Sequence, residues 1–219
     1  MSKQTQTSPI VQSSASLGQR FFAWVTHKTS HSRNERLDTH KRRLFNTLSG
    51  TVLEIGPGTG ANFDYYPANI RWIGIEPNPA MHPYLRQRAA QSDLVTELRV
   101  GSAEHLTVPD SSIDAVICTL VLCSVDSTPI SLREVQRVLK PGGQFIFIEH
   151  VAAPQGTTLR TVQNLLNPVW NIIADGCHPN RETWHDLEQA GFRHLTYESF
   201  TVSEGLSSLM PLIAGVAIK

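Results

Sequence analysis

The chain has 219 residues, enough for one domain with a buried core, and its 40% hydrophobic and 17% charged residues exclude a disordered chain. Its 19 basic and 19 acidic residues give a formal net charge of zero, which argues against nucleic-acid binding as its main role. The sequence shows no apolar stretch long enough to span a bilayer, and residues 1–18 lack the apolar core of a secretory signal.

The amino-terminal part is predicted to form a flexible tail and two helices. Residues 1–16 are rich in Ser, Thr and Gln, which is typical of a flexible segment. Apolar spacing predicts helices at 17–27 and 33–48, which would cap the rest of the domain. The basic run 41–43 is interleaved with apolar residues, so we interpret it as the solvated face of an amphipathic helix.

A glycine-rich turn follows the first predicted strand, 51–55. The turn, residues 56–60, lets the backbone approach a bound ligand closely, and Glu76 ends the next apolar strand. A carboxylate in that place suits the hydroxyls of a ribose, so the two features predict a nucleoside-containing cofactor. With Ala61, the turn also matches a dinucleotide fingerprint, which leaves the identity of the cofactor open at this point.

Glu54 lies inside the first strand, where a sheet would normally place an apolar side chain. A buried carboxylate is costly unless it has a partner. Two partners are compatible with this position: the amino group of a bound S-adenosylmethionine, or backbone amides of the glycine turn.

Strands and helices alternate along the rest of the chain, which predicts right-handed crossovers and a mostly parallel sheet. Strands are predicted at 51–55, 71–75, 95–100, 113–118, 143–149, 194–200 and 212–218, and helices at 61–65, 79–90, 129–139, 159–173 and 181–190. We expect a single domain over residues 17–219, made of a helical cap (17–50), a cofactor-binding half (51–150) and a substrate-side half (151–219).

Residues 138–143 read Val-Leu-Lys-Pro-Gly-Gly, a helix stop and turn, and an apolar run to Glu149 follows. A helix, this turn and a buried strand, in that order, resemble the segment before the fifth strand of class I S-adenosylmethionine-dependent methyltransferases. The resemblance spans residues 52–149, with all elements in the expected order.

Other segments are similar to the methyltransferase-like protein seven family, which contains alkyl-thiol S-methyltransferases. These segments are 60–63, 76–79, 116–125, 149–153, 175–177 and 181–184. The resemblance implies an α/β, Rossmann-like sheet of seven mostly parallel strands with an antiparallel seventh strand and two extra amino-terminal helices. It also implies S-adenosylmethionine as the cofactor, S-adenosylhomocysteine as the product and no metal.

The resemblance assigns the cofactor site to loops that follow strands. The turn 56–60 would line the methionine moiety and the ribose, Glu76 would bind the ribose hydroxyls, residues 102–104 would hold the adenine, and Thr119 would lie beside the methyl group. The residues expected to bind the cofactor are Glu54, Gly56, Pro57, Gly58, Thr59, Gly60, Asn62, Glu76, Pro77, Asn78, Ser102, Ala103, Glu104, Thr119 and Leu120.

The acceptor is expected to be an apolar small molecule. A thiol, with a pKa near 8.5, loses its proton readily, whereas an aliphatic alcohol would need a strong base or a metal. A thiol is therefore the first choice, with a phenol, an amine or the ring carbon of a quinone-like lipid as alternatives. The expected pocket residues are Phe21, Trp24, Val121 and Trp170. The apolar patch 21–25 would cover this pocket or pack on the sheet, with peripheral contact to a membrane as another option.

Candidate catalytic residues follow the fifth strand. His150 would either accept the proton of the acceptor or bond to a neighbouring loop, and Asp175 would act as a second base, orient His150 or cap the next helix. Cys118, Cys123 and Cys177 cannot all pair and lack metal-ligand spacing, so we predict no metal site and a reducing, cytoplasmic setting. Cys177 is either a redox-sensitive thiol or a packed small side chain.

Two further functions remain as alternatives. A nicotinamide-dependent oxidoreductase is compatible with the glycine turn, but the sequence has no Tyr-x-x-x-Lys pair for hydride transfer. A non-catalytic subunit that binds the cofactor and activates a partner is compatible with all the cofactor loops. The sequence leaves the oligomeric state open.

Overall fold

The protein folds around one seven-stranded sheet with the strand order β3-β2-β1-β4-β5-β7-β6. The computed structural model describes residues 15–29, 34–202 and 210–219. The strands are β1 Gly50–Ile55, β2 Ile70–Ile75, β3 Val95–Arg99, β4 Ile113–Thr119, β5 Leu139–His150, β6 His194–Phe200 and β7 Leu212–Ile218. The first five strands are parallel, and β7 is inserted antiparallel to both β5 and β6. The predicted fold is confirmed.

Helices cover both faces of the sheet, as the alternation of elements along the chain predicts. They are α1 Leu17–Thr29, α2 Glu35–Phe45, α3 His82–Gln91, α4 Thr128–Val138, α5 Thr158–Ile173 and α6 Thr183–Gln189. Within β1, Leu53 packs into the core on one face of the sheet and Val52 into the core on the other. The central strands are thus buried on both faces, which explains their continuous apolar runs.

The helix predicted at 61–65 is a single turn of 3-10 helix, Phe63–Tyr65. The side chain of Asn62, which would open a regular helix, instead turns inward to Glu54 and Thr119. This tertiary interaction overrides the local preference for a helix.

Other helix boundaries differ from the prediction for similar local reasons. α3 begins at His82 rather than at residue 79, because the Asn78 side chain accepts a hydrogen bond from the Ala80 amide and forms a turn there. α2 begins after Asn34, whose side chain accepts from the Leu37 amide as an N-cap. The predicted helix start at residue 33 and most of the predicted tail, residues 1–14, lie outside the described residues.

The Pro-Gly-Gly segment does not separate α4 from β5. The strand begins at Leu139, directly after α4, and Gly142 and Gly143 exchange backbone hydrogen bonds with Lys219. The carboxyl terminus of the chain thus extends the sheet at this point, and β5 is longer at its start than the sequence predicts.

Within the described ranges, every helix is too short or too polar to cross a membrane. The carboxyl ends of β1, β2, β4 and β5 meet at one edge of the sheet because these strands are parallel. The loops that leave this edge are those expected to bind the cofactor and the acceptor.

Candidate active site

A cavity of about 540 Å³ opens at the carboxyl edge of the sheet. Its walls come from α1, α2 and α5, from the ends of β1, β4 and β5, from the loops after β1 to β4, and from the segment that follows α5. Among the residues predicted to bind the cofactor, those that line it are Glu54, Gly56, Pro57, Gly58, Thr59, Asn62, Glu76, Pro77, Ser102, Ala103, Glu104, Thr119 and Leu120. Gly60 and Asn78 do not line it. The fold thus brings together groups that are far apart in the sequence.

The glycine turn needs its glycines for two different reasons. Gly56 has φ +61°, and a Cβ at this position would come within 2.5 Å of the Val121 side chain. Gly58 has φ +56° and borders open space, so it leaves the cavity free and exposes its backbone. Both glycines adopt a backbone conformation that other residues rarely accept.

Glu76 joins the glycine turn to the loop after β2. Its carboxylate accepts hydrogen bonds from the Gly58 amide at 2.9 Å and from the Asn78 amide at 2.8 Å. Burial raises the pKa of Glu76 to about 7, although these two amide bonds favour the charged form. A carboxylate can accept about four hydrogen bonds, so Glu76 retains capacity for two donors from a ligand in the cavity.

Glu54 has protein partners of its own. Its two oxygens accept hydrogen bonds from Asn62 Nδ2 at 2.7 Å and from Trp72 Nε1 at 2.8 Å. The sequence interpretation, which offered only a ligand amine or turn amides as partners, missed both side chains. Burial raises the pKa of Glu54.

Lys41 contradicts the interpretation of the basic run 41–43 as a solvated face. It is 6% exposed and lines the cavity. Burial lowers the pKa of Lys41, while the charge of Glu54 acts in the opposite direction. Successive residues of a helix point in different directions, so Lys41 turns inward while Arg42 and Arg43 are exposed.

Two polar atoms of this part of the cavity wall have no partner among the described residues. They are Thr59 Oγ1 and Asn62 Oδ1, and both side chains are 4% exposed. Unpaired buried polar atoms are costly, so their presence on a cavity wall indicates a ligand with polar groups.

The loops after β3 and β4 bound the other side of the cavity. Glu104 Oε1 accepts hydrogen bonds from the amides of Asp126 and Ser127, just before α4, so this side chain also fixes the α4 loop. Leu120 has φ +60°, which is strained for a leucine, and its amide bonds to the Ile148 carbonyl. The strain places Leu120 on the cavity wall, where it is 36% exposed.

The acceptor end of the cavity contains His150, Cys123 and Cys177 together. One ligand atom from each of the three lies within 4.8 Å of the others, and the two sulfurs are 3.4 Å apart. The sequence spacing gave no sign of this cluster, because Cys123 follows β4, His150 ends β5 and Cys177 follows α5. The Nδ1 atom of His150 is buried without a partner among the described residues.

Two contacts hold the loops around this cluster. Arg181 Nη1 donates to the Leu122 carbonyl at 2.6 Å and to the Val125 carbonyl at 2.7 Å. Glu149 accepts from the Val121 amide at 3.0 Å, and burial raises its pKa to about 7. The loop after β4 is thus tied both to β5 and to the segment before α6.

Asp175 lies at the rim of the cavity, on the ribose side of the site. Its backbone has φ +48°, and its carboxylate bonds to the side chain of Asn78. Asn78 in turn donates its amide to Glu76. Asp175 therefore joins the segment after α5 to the loop that carries Glu76.

Two of the four predicted pocket residues are not in the cavity. Phe21 and Trp24 are 64% and 51% exposed, and α1 turns Phe22 and Thr26 to the cavity instead. The latter two are separated by one helical turn, so they share a face that Phe21 and Trp24 do not. Val121 and Trp170 do line the cavity.

The apolar stripe of α5 is mostly exposed rather than part of the core. Its exposed members are Leu165, Leu166, Val169, Ile172 and Ile173. Only Gln163 of this helix is fully buried, where it pairs with the backbone of Val151 and Ala153. The cavity therefore has an apolar outer surface beside it.

A model of the methyltransferase domain family matches residues 53–147. The chain is 38% identical over 210 residues to thiol S-methyltransferase TMT1B of Rattus norvegicus, covering 91% of this chain and 86% of that protein. It is 41% identical over 197 residues to thiol S-methyltransferase TMT1A of Homo sapiens, covering 85% and 81%. The chain belongs to the TMT1 methyltransferase family.

The fold of this TMT1 family member is shared with a solved S-adenosylmethionine-dependent methyltransferase from Thermotoga maritima. The TM-score is 0.62 at 20% identity, with 93% of this chain and all of that one covered. The chain is an S-adenosylmethionine-dependent methyltransferase, and the predicted resemblance is confirmed.

The cavity fits the cofactor of this family. The open backbone of Gly58 and the remaining acceptor capacity of Glu76 suit a ribose with two hydroxyl donors. Thr59 Oγ1 and Asn62 Oδ1 offer unpaired polar atoms to the methionine end. Each of these groups belongs to the protein's own cavity wall.

This geometry predicts that cofactor affinity depends on pH. Ribose hydroxyls donate best to an ionised Glu76, and a pKa of about 7 leaves about a tenth of the carboxylates charged at pH 6. We expect the dissociation constant of S-adenosylhomocysteine, measured by calorimetry, to rise about tenfold from pH 8 to pH 6. In Glu76→Gln, affinity should be weaker and nearly constant over that range. A wild-type affinity that does not change with pH would contradict the assignment.

Proposed function

We propose that the protein transfers a methyl group from S-adenosylmethionine to the sulfur of an apolar small-molecule thiol, with S-adenosylhomocysteine as the product. Relatives named as thiol S-methyltransferases, with about 40% identity over most of the chain, support this acceptor class. The observation that carries the proposal is that His150 lines the cavity together with the apolar side chains of Val121 and Trp170.

When bound, the cofactor supplies a methyl group already activated by a sulfonium. The protein's task is then to hold both molecules in line and to exclude water. Glu76 and the glycine turn would fix the ribose, and Thr59 and Asn62 the methionine end. Leu120 and Val121, at the end of β4, border the space between this site and His150.

His150 is proposed to take the proton of the thiol. Its Nδ1 atom has no partner among the described residues, so it can accept a hydrogen bond from a ligand. His150 would receive the proton of the acceptor S–H bond, while the cofactor would supply the methyl group by cleavage of its bond to the sulfonium sulfur, which leaves S-adenosylhomocysteine. A thiol needs only this modest help because its own pKa in water is near 8.5.

Asp175 is proposed to position the cofactor loop rather than to act as a base. Its carboxylate bonds to Asn78, whose amide donates to Glu76, so it belongs to the ribose side of the cavity. His150 and the two cysteines form a cluster that does not include Asp175.

The surroundings of the cavity suit an apolar acceptor. Phe22 of α1 and Trp170 of α5 line the cavity, and the same two helices carry the exposed Phe21, Trp24, Val169 and Ile173 outside it. Exposed apolar side chains on helices that also line a cavity are compatible with binding of an apolar molecule.

Trp170→Ala should weaken acceptor binding selectively. We expect the Michaelis constant of an apolar thiol to rise about tenfold, because an aromatic side chain contributes roughly 1–2 kcal/mol to a buried apolar contact. The dissociation constant of S-adenosylhomocysteine should change less than twofold or so. Leu165→Ala, at a position of the same helix that is 78% exposed, serves as the matched control. An equal loss of acceptor and cofactor binding would show that Trp170 only supports the fold.

The acceptor assignment is tested with matched molecules. Purified protein and methyl-labelled cofactor would be incubated with a benzyl thiol, an alkyl thiol, a phenol and a benzylamine of similar size. We expect a thioether from each thiol, with a kcat/KM at least about a hundredfold above that for the phenol and the amine. Preferred methylation of the phenol or the amine would overturn the thiol assignment and leave the cofactor site intact.

A further inference from the structure

Cys123 and Cys177 face each other inside the cavity. Their sulfurs are 3.4 Å apart, and both residues line the cavity wall. Cys123 follows β4, whereas Cys177 lies in the segment between α5 and α6. The backbone joins the two segments directly, because the His178 amide donates to the Cys123 carbonyl at 2.8 Å. The short distance is thus built into the fold rather than the result of two side chains that meet by chance.

The two thiols differ in their surroundings. A hydrogen bond with Cys123 and the nearby His150 lower the pKa of Cys177 below its usual range, whereas the same hydrogen bond and burial raise the pKa of Cys123. A pair of this kind has one sulfur that attacks as a thiolate and one that stays protonated until it is needed. The proximity, the shared cavity and the neighbouring imidazole are the features that enzymes with exchanging dithiols require.

We propose that Cys123 and Cys177 form a redox-active dithiol that reduces small apolar disulfides entering the acceptor cavity. The class of ligand rests on the proposed function, since an apolar thiol and its own disulfide have similar shape and polarity. The protein would then regenerate its methyl acceptor from the oxidised form of that acceptor.

The exchange balances without another reductant. The Cys177 thiolate attacks one sulfur of the disulfide R–S–S–R, the S–S bond breaks, and R–S⁻ leaves with a mixed disulfide on Cys177. Cys123 loses its proton to His150 and attacks the Cys177 sulfur, which releases the second R–S⁻. The two cysteines are oxidised to one internal disulfide, and the small disulfide is reduced to two thiols.

Formation of the internal disulfide requires the two sulfurs to move closer. A disulfide has an S–S length of about 2.05 Å, so the sulfurs must approach by roughly 1.4 Å. Asp175 and Gly176 precede Cys177 with φ +48° and +89°, in a loop outside any helix or strand. The third cysteine, Cys118, is fully buried in β4 and does not line the cavity, so it provides a matched control.

The test uses reduced, full-length protein without cofactor, and dithiodipyridine as the small aromatic disulfide whose reduction is followed by absorbance. We expect about two equivalents of thiopyridone per chain, a mass about 2 Da lower, and a Cys123–Cys177 link in the peptide map. Cys123→Ser should release about one equivalent and keep the mixed disulfide on Cys177. Cys177→Ser should lose the rapid initial release of thiopyridone. Cys118→Ser should release thiopyridone in the same amount and at the same rate as the wild type.

Three outcomes would overturn the inference. One is a wild-type protein that forms mixed disulfides without an internal link, which needs no variant to detect. Another is stoichiometric zinc in the purified protein that shields both thiols, since Cys123, His150 and Cys177 would then be metal ligands. The third is an equal initial rate of thiopyridone release in the wild type and in Cys177→Ser. If the protein methylated thiols but did not exchange with the disulfide, the dithiol inference would fail and the proposed function would stand. If it exchanged with the disulfide but did not methylate thiols, the proposed acceptor would fail and the dithiol exchange itself would stand.

Discussion

Replacement of Glu76 by alanine should weaken the binding of S-adenosylhomocysteine by roughly 1.5–3 kcal/mol, or about 10- to 150-fold. The carboxylate is expected to accept both ribose hydroxyls, and hydrogen bonds to a charged acceptor are stronger than neutral ones. The same side chain accepts from the amides of Gly58 and Asn78, so its loss also loosens the glycine turn. Calorimetric titration measures the effect, and circular dichroism of the variant checks that the fold is kept.

A second variant separates these contributions. Asn78→Ala keeps the Asn78 amide and the Glu76 carboxylate but removes the side-chain contact with Asp175, together with the side-chain hydrogen bonds to the Ala80 amide and the Gln19 carbonyl. We expect it to cost less than about 1 kcal/mol of cofactor affinity, the scale of one neutral hydrogen bond. If Glu76→Ala bound the cofactor as well as the wild type, the ribose would have to lie elsewhere in the cavity.

The parallel direction of most strands could be predicted because it depends on patterns that are local and repeated, whereas the antiparallel seventh strand was expected from the resemblance to class I methyltransferases. Apolar runs such as those of β1 and β5 mark strands buried on both faces, and helices between them force a parallel arrangement. The predictions failed where a single side chain made a tertiary contact. Asn62 bonds to Glu54 and prevents a regular helix after the glycine turn, and no local pattern announces that bond.

The residues expected to bind the cofactor could be identified from the sequence, because they form short motifs directly after strands. The glycine turn and Glu76 are recognisable in this way. The acceptor half was not, because it is assembled from residues far apart in the chain. Cys123 and Cys177 are 54 positions apart, yet their sulfurs are in contact. On α1, the sequence analysis placed Phe21 in the pocket, whereas the structure places Phe22 there. The apolar patch alone does not indicate which of two neighbouring aromatic side chains turns inward.

Trp72 illustrates why buried charges are hard to interpret from sequence. Its indole donates to Glu54 from the neighbouring strand β2, at a position that the apolar pattern of β2 assigns simply to the core. Strand register decides this pairing, and register is set by the packing of the whole sheet. A sequence can therefore indicate that Glu54 needs a partner without identifying it.

His150→Asn should lower kcat for an alkyl thiol by about a hundredfold or more, which is the scale of lost proton transfer to a positioned base. The affinity for S-adenosylhomocysteine should stay within about threefold of the wild type, because the ribose and the glycine turn are held by other residues. An aryl thiol is more acidic than an alkyl thiol and ionises without help, so its kcat should fall much less. Single-turnover rates with the labelled cofactor measure both acceptors directly.

The loss in His150→Asn should also shrink as the pH rises toward the pKa of the alkyl thiol, because a larger share of the thiol then ionises in water without a base. His178→Asn provides the matched control, since His178 follows Cys177 but bonds to Asn167 and Asn171 instead of lining the cavity. It should leave the ratio of alkyl to aryl rates unchanged. Equal losses for both thiols at every pH would show that His150 positions the acceptor rather than removing its proton.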